Sequence, residues 1–332
     1  MLIAVLTDRY GRPLSNLRVT VTHDCNYSCL FCHREGEPLG GTFTFKPEHF
    51  RLMVQAAYSL GVKQVKLTGG EPLLRRDIVE IAEELSSLGK KDLEVSITTN
   101  GFLLVENASR LSEAGVSRVN VSLHSLERNT YKLLTGRDSL SKALAGVDAA
   151  IDAGLGVKLN FVLTWLNARE VPRLLDFASS KGVNVNLIEL IPLGGGHYGF
   201  SELYMPVEMV LPHLEKRSVS SGRRELHNRP VYVLDTGVKV EVIANYLNPS
   251  FCLGCSRVRF THDGKLKVCL YRDNPAISVR DVLLSKLPED EKLEKLEEAL
   301  IEANSLREPY FRLENGVVKT ADGQILGPPR EL

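Results

Sequence analysis

The stretch Gln64-Val-Lys-Leu-Thr-Gly-Gly-Glu-Pro-Leu-Leu-Arg-Arg-Asp-Ile-Val-Glu-Ile-Ala-Glu-Glu-Leu-Ser-Ser-Leu-Gly89 holds one complete structural unit. Its first five residues alternate in polarity, as in a strand, and Arg76–Leu88 carries apolar residues at helical spacing. Gly89 follows where a helix wants a left-handed C-terminal residue. The unit recurs on both sides. Strands are predicted at Leu17–Thr22, Gln64–Thr68, Glu94–Thr99, Arg118–Leu123, Val157–Leu163 and Val183–Ile191. Helices are predicted at Pro47–Leu60, Arg76–Leu88, Glu106–Ala114, Ser139–Ala153 and Glu170–Lys181, followed by Gly61, Gly89, Gly115, Gly154 and Gly182. Such alternation calls for parallel strands with crossover helices. Six units are too few for a closed eight-stranded barrel. The expected fold is therefore α/β, a partial (β/α)6 TIM-like barrel with ligand sites at the C-terminal ends of its strands.

The pattern breaks after Pro192, at a loop marked by Gly194–Gly196. Ser218–Arg224 is polar and reads as exposed. Val231–Leu234, Val238–Ile243, Arg257–His262 and Lys265–Leu270 read as short antiparallel strands, with a hairpin turn at Asp263-Gly264. Leu283–Leu306 is charged and helical, and the residues beyond Phe311 read as a peripheral tail. The division expected is a barrel over residues 1–235 and a smaller C-terminal domain of antiparallel sheet and helix over 236–332.

The chain has 332 residues, 43% of them hydrophobic and 25% charged, with 41 basic and 41 acidic side chains. That balance argues against a general nucleic-acid or membrane-surface binder, although it allows a local basic pocket. The N-terminal apolar run Leu2–Leu6 is too short for a signal peptide. No stretch reaches the ~20 apolar residues of a membrane span. The expected location is the cytoplasm, where thiols stay reduced and clustered cysteines point to metal ligation.

The six cysteines form two sets of three. Cys25-x3-Cys29-x2-Cys32 follows the first predicted strand. Three thiolates can hold three irons of a [4Fe–4S] cube and leave the fourth iron open to a small molecule. A structural zinc loop is the alternative, with His33 as fourth ligand. The second set is Cys252-x2-Cys255-x13-Cys269, with the hairpin folding Cys269 back beside Cys255. A cluster and a zinc site both fit that spacing, His262 being the nearest histidine. A strict two-residue turn would set Val258 opposite Cys269. A bulge at Gly264 sets Arg257 opposite Cys269 and keeps cysteine and arginines on one face, which is the register expected.

The first triad, with Phe31 before its last cysteine, resembles the signature of the radical S-adenosylmethionine (SAM) superfamily. Gly69-Gly70-Glu71-Pro72 resembles that superfamily's SAM-contacting motif. From about Leu17 to Phe311 the chain is similar to the GTP 3',8-cyclases: Leu17-Arg18-Val19-Thr20, Lys66 through Leu73, Thr98-Thr99-Asn100-Gly101, Val121-Ser122-Leu123, Lys158-Leu159-Asn160, and Cys252 through Arg257-Val258-Arg259 to Cys269-Leu270. His124 and Arg307-Glu308-Pro309 look like the archaeal branch. Asn186 stands where bacterial members carry Arg, and Gly-Pro-Pro-Arg-Glu-Leu stands where many carry a terminal Gly-Gly.

The resemblance implies two [4Fe–4S] clusters, on Cys25, Cys29, Cys32 and on Cys252, Cys255, Cys269. It implies SAM contacts from Phe31, Gly69, Gly70, Glu71, Ser122 and Ile191. It implies GTP contacts from Arg18, Lys66, Thr98, Lys158, Arg257, Val258 and Arg259, with Arg18, Arg257 and Arg259 also catalytic. In that family a 5'-deoxyadenosyl radical takes the 3' hydrogen of GTP, and the carbon radical closes on C8 of guanine. The second cluster holds the guanine through its open iron. Implied partners are an electron donor, a downstream cyclic pyranopterin monophosphate synthase and a second copy in a homodimer. Two other readings share part of this pattern. A radical SAM enzyme acting on a peptide or another small molecule would share the first triad but has no reason for Arg257 and Arg259. A zinc-stabilised binding module would not explain the glycine motif.

Overall fold

A computed structural model describes residues 5–37, 44–194 and 199–330. The first half alternates as expected: β1 (Asn16–Thr22), α1 (Pro47–Ser59), β2 (Gln64–Gly69), α2 (Ile78–Ser86), β3 (Glu94–Thr99), α3 (Leu104–Glu113), β4 (Arg118–Ser122), α4 (Arg128–Thr135), α5 (Leu140–Asp152), β5 (Gly156–Leu163), α6 (Val171–Lys181) and β6 (Asn184–Glu189). These strands lie side by side in chain order, all parallel. One strand face is apolar and packs under the helices. Leu17, Val19 and Val21 of β1 are buried there with Phe50, Met53 and Val54 of α1. The five glycines after the predicted helices all have φ between +62° and +102°. Helix α4 is missing from the sequence reading. It is one short amphipathic stretch in front of α5 and buries Tyr131 and Leu134.

The second half departs from expectation in an instructive way. β7 (Ser218–Arg224), β8 (Arg229–Leu234) and β9 (Lys239–Ile243) form one antiparallel set, and β10 (Arg257–Phe260), β11 (Lys265–Lys267) and β12 (Ala276–Ser278) another. They do not make a sheet of their own. β9 pairs in parallel with β6, and β10 pairs in parallel with β1. The full order is β12-β11-β10-β1-β2-β3-β4-β5-β6-β9-β8-β7. The parallel run therefore has eight strands, β10 to β9, and its two ends are not hydrogen-bonded to each other. Ser218–Arg224, read as an exposed segment, is the solvent-facing edge strand.

The charged helical stretch divides into Arg280–Leu284 and Glu289–Ser305. The second helix buries Leu296, Leu300 and Ala303 and packs on α1, where Arg51 pairs with Glu289. The residues beyond Phe311 are not a loose tail. They form a separate antiparallel sheet, β13 (Phe311–Glu314), β14 (Val317–Thr320) and β15 (Ile325–Gly327), that buries Phe311 and Val318. Among the described residues no helix is long and apolar enough to cross a membrane. Of the predicted Gly194–Gly196 loop, Gly195 and Gly196 lie outside the described residues.

Candidate active site

The strands' other face, with the loops at their C-terminal ends, encloses a cavity of about 350 Å³. Both cysteine triads line it. Cys25, Cys29 and Cys32 sit on the loop after β1, and none forms a disulfide. Burial pushes the Cys29 thiol well up, and the neighbouring cysteines add to the shift. The glycine motif is built against this loop. Gly70 N–H donates to Thr22 O at 2.8 Å and Glu71 N–H to Asp24 O at 2.7 Å. A Cβ on Gly69 or Gly70 would fall 2.2 Å from the Thr22 or Asp24 carbonyl oxygen, so no other residue fits. The buried Glu71 carboxylate accepts from Leu73 N–H, Thr99 Oγ1 and Asn100 N–H. Burial outweighs these bonds and holds its pKa at about 7. Phe31 packs edge-on to His124, 4.6 Å between centroids. Burial depresses the pKa of His124 to about 3, so its Nδ1 is free to accept from Val162 N–H. Ser122 and Ile191 complete the lining on this side.

The second triad is held by two arginines. Arg12 donates to Cys252 O at 3.0 Å, and fully buried Arg307 donates to Cys255 O, Arg12 O and Pro13 O. Burial raises the Cys252 thiol to about 12. Burial would also raise Cys255, but the Arg307, Arg257 and Arg12 guanidiniums overcome it and lower its pKa. The hairpin has the bulged register. Arg259 pairs with Lys267 and Phe260 with Leu266, Gly264 has φ +86°, and Thr261 N–H donates to Lys265 O. Continued by two residues, that register sets Arg257 opposite Cys269. Among the described residues, neither triad draws its three sulfurs within 4.8 Å of one another, and no histidine joins them at that range. His33 lies with Glu35, Arg18 and Arg259, and His262 turns to Glu37 instead.

Ten Lys or Arg side chains and five Glu line the cavity. Arg259, Arg18 and Lys66 are successive Cα partners across β10, β1 and β2. Arg18 and Arg259 both pair with Glu35, which also accepts from Thr68. Lys158 pairs with Glu241, as do Arg224 and Arg229 from the β7–β8 hairpin. Lys66 and Arg257 have no hydrogen-bond or ion-pair partner among the described residues. Burial and the surrounding guanidiniums hold the Lys66 ammonium well below the usual lysine range. Asn120 Oδ1, Asn186 Oδ1 and the Nε atoms of Arg18, Arg118 and Arg229 are buried without partners among the described residues. Thr98 also faces the cavity. Val258 does not: its side chain is fully buried in the core, because it alternates with Arg257 and Arg259 along β10.

Sequence reasoning missed Glu35, Glu241, Arg224 and Arg229. Glu35 stands three residues after Cys32, and its charge there was the only signal. Arg224 ends a stretch that looks merely polar. The tail was misjudged as well, for Arg330 folds back and clamps the buried Glu189 carboxylate at the end of β6 with bonds of 2.6 and 2.8 Å.

Comparison with known proteins agrees with this geometry. Residues 19–178 match the Radical SAM superfamily and residues 183–313 match Molybdenum Cofactor Synthesis C. A "Probable GTP 3',8-cyclase" of Saccharolobus islandicus is 46% identical over 309 residues, 92% of this chain and 99% of that protein. One of Metallosphaera sedula is 46% identical over 310 residues, 92% of this chain and 97% of that protein. In fold, the chain is similar to Streptococcus suis SuiB bound to S-adenosylmethionine, with TM-score 0.64, 14% identity, and 85% of this chain and 66% of that one covered. It is also similar to anSMEcpe with bound AdoMet, with TM-score 0.57, 18% identity, and 89% and 81% covered. Triad, glycine motif, barrel and relatives together make this chain a radical SAM enzyme of molybdenum cofactor synthesis, belonging to the GTP 3',8-cyclase family.

Proposed function

We propose that this chain itself converts GTP to (8S)-3',8-cyclo-7,8-dihydroguanosine 5'-triphosphate in the cytoplasm, using two [4Fe–4S] clusters. The observation that carries the reading is the pair of unpartnered cations, Lys66 and Arg257, in a cavity between two cysteine triads. A triphosphate carries about four negative charges and calls for such cations. Arg18 and Arg259 stand beside them, and Glu35 occupies both until a stronger anion replaces it. Thr98 and Lys158 extend the substrate surface, while Ser122, Ile191, Phe31 and the Gly69–Glu71 backbone form the SAM side.

The donor sets fit clusters better than zinc. Each triad offers three thiolates, which leaves one iron of a cube open to a small molecule, whereas a structural zinc normally takes four protein ligands. When bound, the first cluster and SAM supply a 5'-deoxyadenosyl radical. The chain's own part is to fix the ribose, neutralise the phosphates and exclude water. A one-electron donor and a downstream enzyme that rearranges the product to cyclic pyranopterin monophosphate complete the scheme, with a homodimer as the assembly.

The test is GTP deuterated at the 3' position, with label followed into 5'-deoxyadenosine. Transfer is expected in the wild type and should fall in Arg257→Ala and Arg259→Ala, with iron content and GTP-free SAM cleavage unchanged. Wild-type SAM cleavage without deuterium transfer would refute GTP as the substrate.

A further inference from the structure

Outside the cavity, three segments meet at one carboxylate. His23 follows the end of β1, Glu37 lies in the loop after Cys32, and His262 opens the turn after β10. His23 Nε2 is 2.9 Å from Glu37 Oε2, and His262 Nδ1 is 3.2 Å from the same oxygen. The two imidazoles stack with 3.4 Å between centroids. Glu37 and His262 are buried and His23 is partly so. All three donor atoms lie within 4.8 Å of one another, the tightest grouping of its kind among the described residues and one that contains no cysteine.

Hydrogen bonding alone leaves this arrangement overfilled. The His262 backbone N–H also points at Glu37 Oε2, at 3.2 Å. Three N–H groups would then converge on one oxygen that has two lone pairs. Both imidazoles would have to carry their proton on the nitrogen facing Glu37. A divalent ion among the three removes the conflict, since each imidazole then presents a lone pair. Tetrahedral zinc, with bonds of about 2.0–2.2 Å, sets its ligand atoms about 3.3 Å apart. The two separations, 2.9 and 3.2 Å, need to open by only a few tenths of an ångström. Glu37 Oε1 already accepts from the Thr20 hydroxyl, the kind of supporting bond that orients a metal-bound carboxylate.

We propose that His23, Glu37 and His262 bind one zinc ion, with the fourth position left to water. The ion would fasten the ends of β1 and β10 to the loop after Cys32. That loop carries Glu35, the residue that holds Arg18 and Arg259.

The experiment uses anaerobically reconstituted full-length protein given zinc and then passed through a desalting column. Zinc and iron are counted, and the zinc X-ray absorption fine structure is recorded. The wild type should retain about one zinc per chain with nitrogen and oxygen ligands only, at about 2.0–2.2 Å. His262→Ala and Glu37→Gln should lose it at unchanged iron content. His262→Cys should keep the ion and add one sulfur scatterer at about 2.3 Å, a result that separates loss of a ligand from loss of the fold. A wild type without zinc, zinc ligated by sulfur in the wild type, or zinc retained unchanged by His262→Ala would each overturn the proposal.

Discussion

Replacing Lys66 by methionine should stabilise the protein and weaken triphosphate binding at the same time. Lys66 lies beside Arg18 in the β1–β2 register and pairs with no carboxylate among the described residues. Its pKa is held well below 10.5, first by burial and then by Arg18, Arg118, Arg257 and Arg229. The substrate-free fold therefore disfavours the charged form of this lysine and sets no carboxylate among the described residues beside it. Methionine keeps much of the length and removes that charge. Exchanging buried ionic groups for apolar ones of similar volume stabilises by up to about 1–4 kcal/mol. The gain has a pH signature. A depressed lysine pKa destabilises fully below its folded value, and the penalty fades as pH rises to the unfolded value near 10.5. The variant's advantage should accordingly be largest at low pH and shrink toward alkaline pH. In the complex, Lys66 would make a charge-assisted contact worth ~1.5–3 kcal/mol, so GTP should bind roughly ten- to a hundredfold more weakly. Thermal melts across pH and anaerobic GTP titrations without SAM read the two effects separately. Unchanged GTP affinity, or a lower melting temperature at neutral pH, would refute the assignment of Lys66 as an unpaired cation awaiting an anion.

Three further outcomes follow from the same geometry. The triple substitution of Cys252, Cys255 and Cys269 by Ala should reduce bound iron from about eight to about four per chain while SAM cleavage survives; iron and sulfide counts check it. Burial would raise the Glu241 pKa, but Lys158 and Arg224 outweigh it and, with Arg229, hold it at about 2. Glu241→Gln should therefore cost about 3–5 kcal/mol near neutrality, with the gap to wild type closing in thermal melts as pH falls from 4.5 toward 2, where the wild-type carboxylate takes up its proton. Arg330→Ala should lower stability and raise the ratio of 5'-deoxyadenosine to cyclised product, measured by chromatography, because Glu189 loses its clamp at the cavity wall.

The barrel strands were legible because each buries one face under a helix, and that face writes an alternating pattern into a short window. Glu94–Thr99 was read with the bounds it has in the structure, and the helix-ending glycines were legible because left-handed backbone has few other occupants. The cysteine triads and Gly69-Gly70-Glu71-Pro72 were legible because their chemistry depends on residue type and local spacing. The reason for the glycines was less so. In the structure each is demanded by a carbonyl of the cysteine loop that a Cβ would strike.

Strand partnership is a different kind of information. β9 and β10 are only five and four residues long, and no local pattern says that they extend the parallel sheet at its two ends. Ion-pair partners are equally non-local. The sequence by itself determined the unit from which the barrel repeats, the spacing of the two cysteine triads and the identity of the cationic strand residues. Tertiary structure alone decided that Glu35 neutralises Arg18 and Arg259 while Lys66 and Arg257 have no ion-pair partner among the described residues. It also decided that His23, Glu37 and His262 meet, and that the chain's last described residue closes on Glu189. Periodicity reports which face of an element is buried. Which charge faces which depends on where the chain returns after tens or hundreds of residues, and no short window contains that.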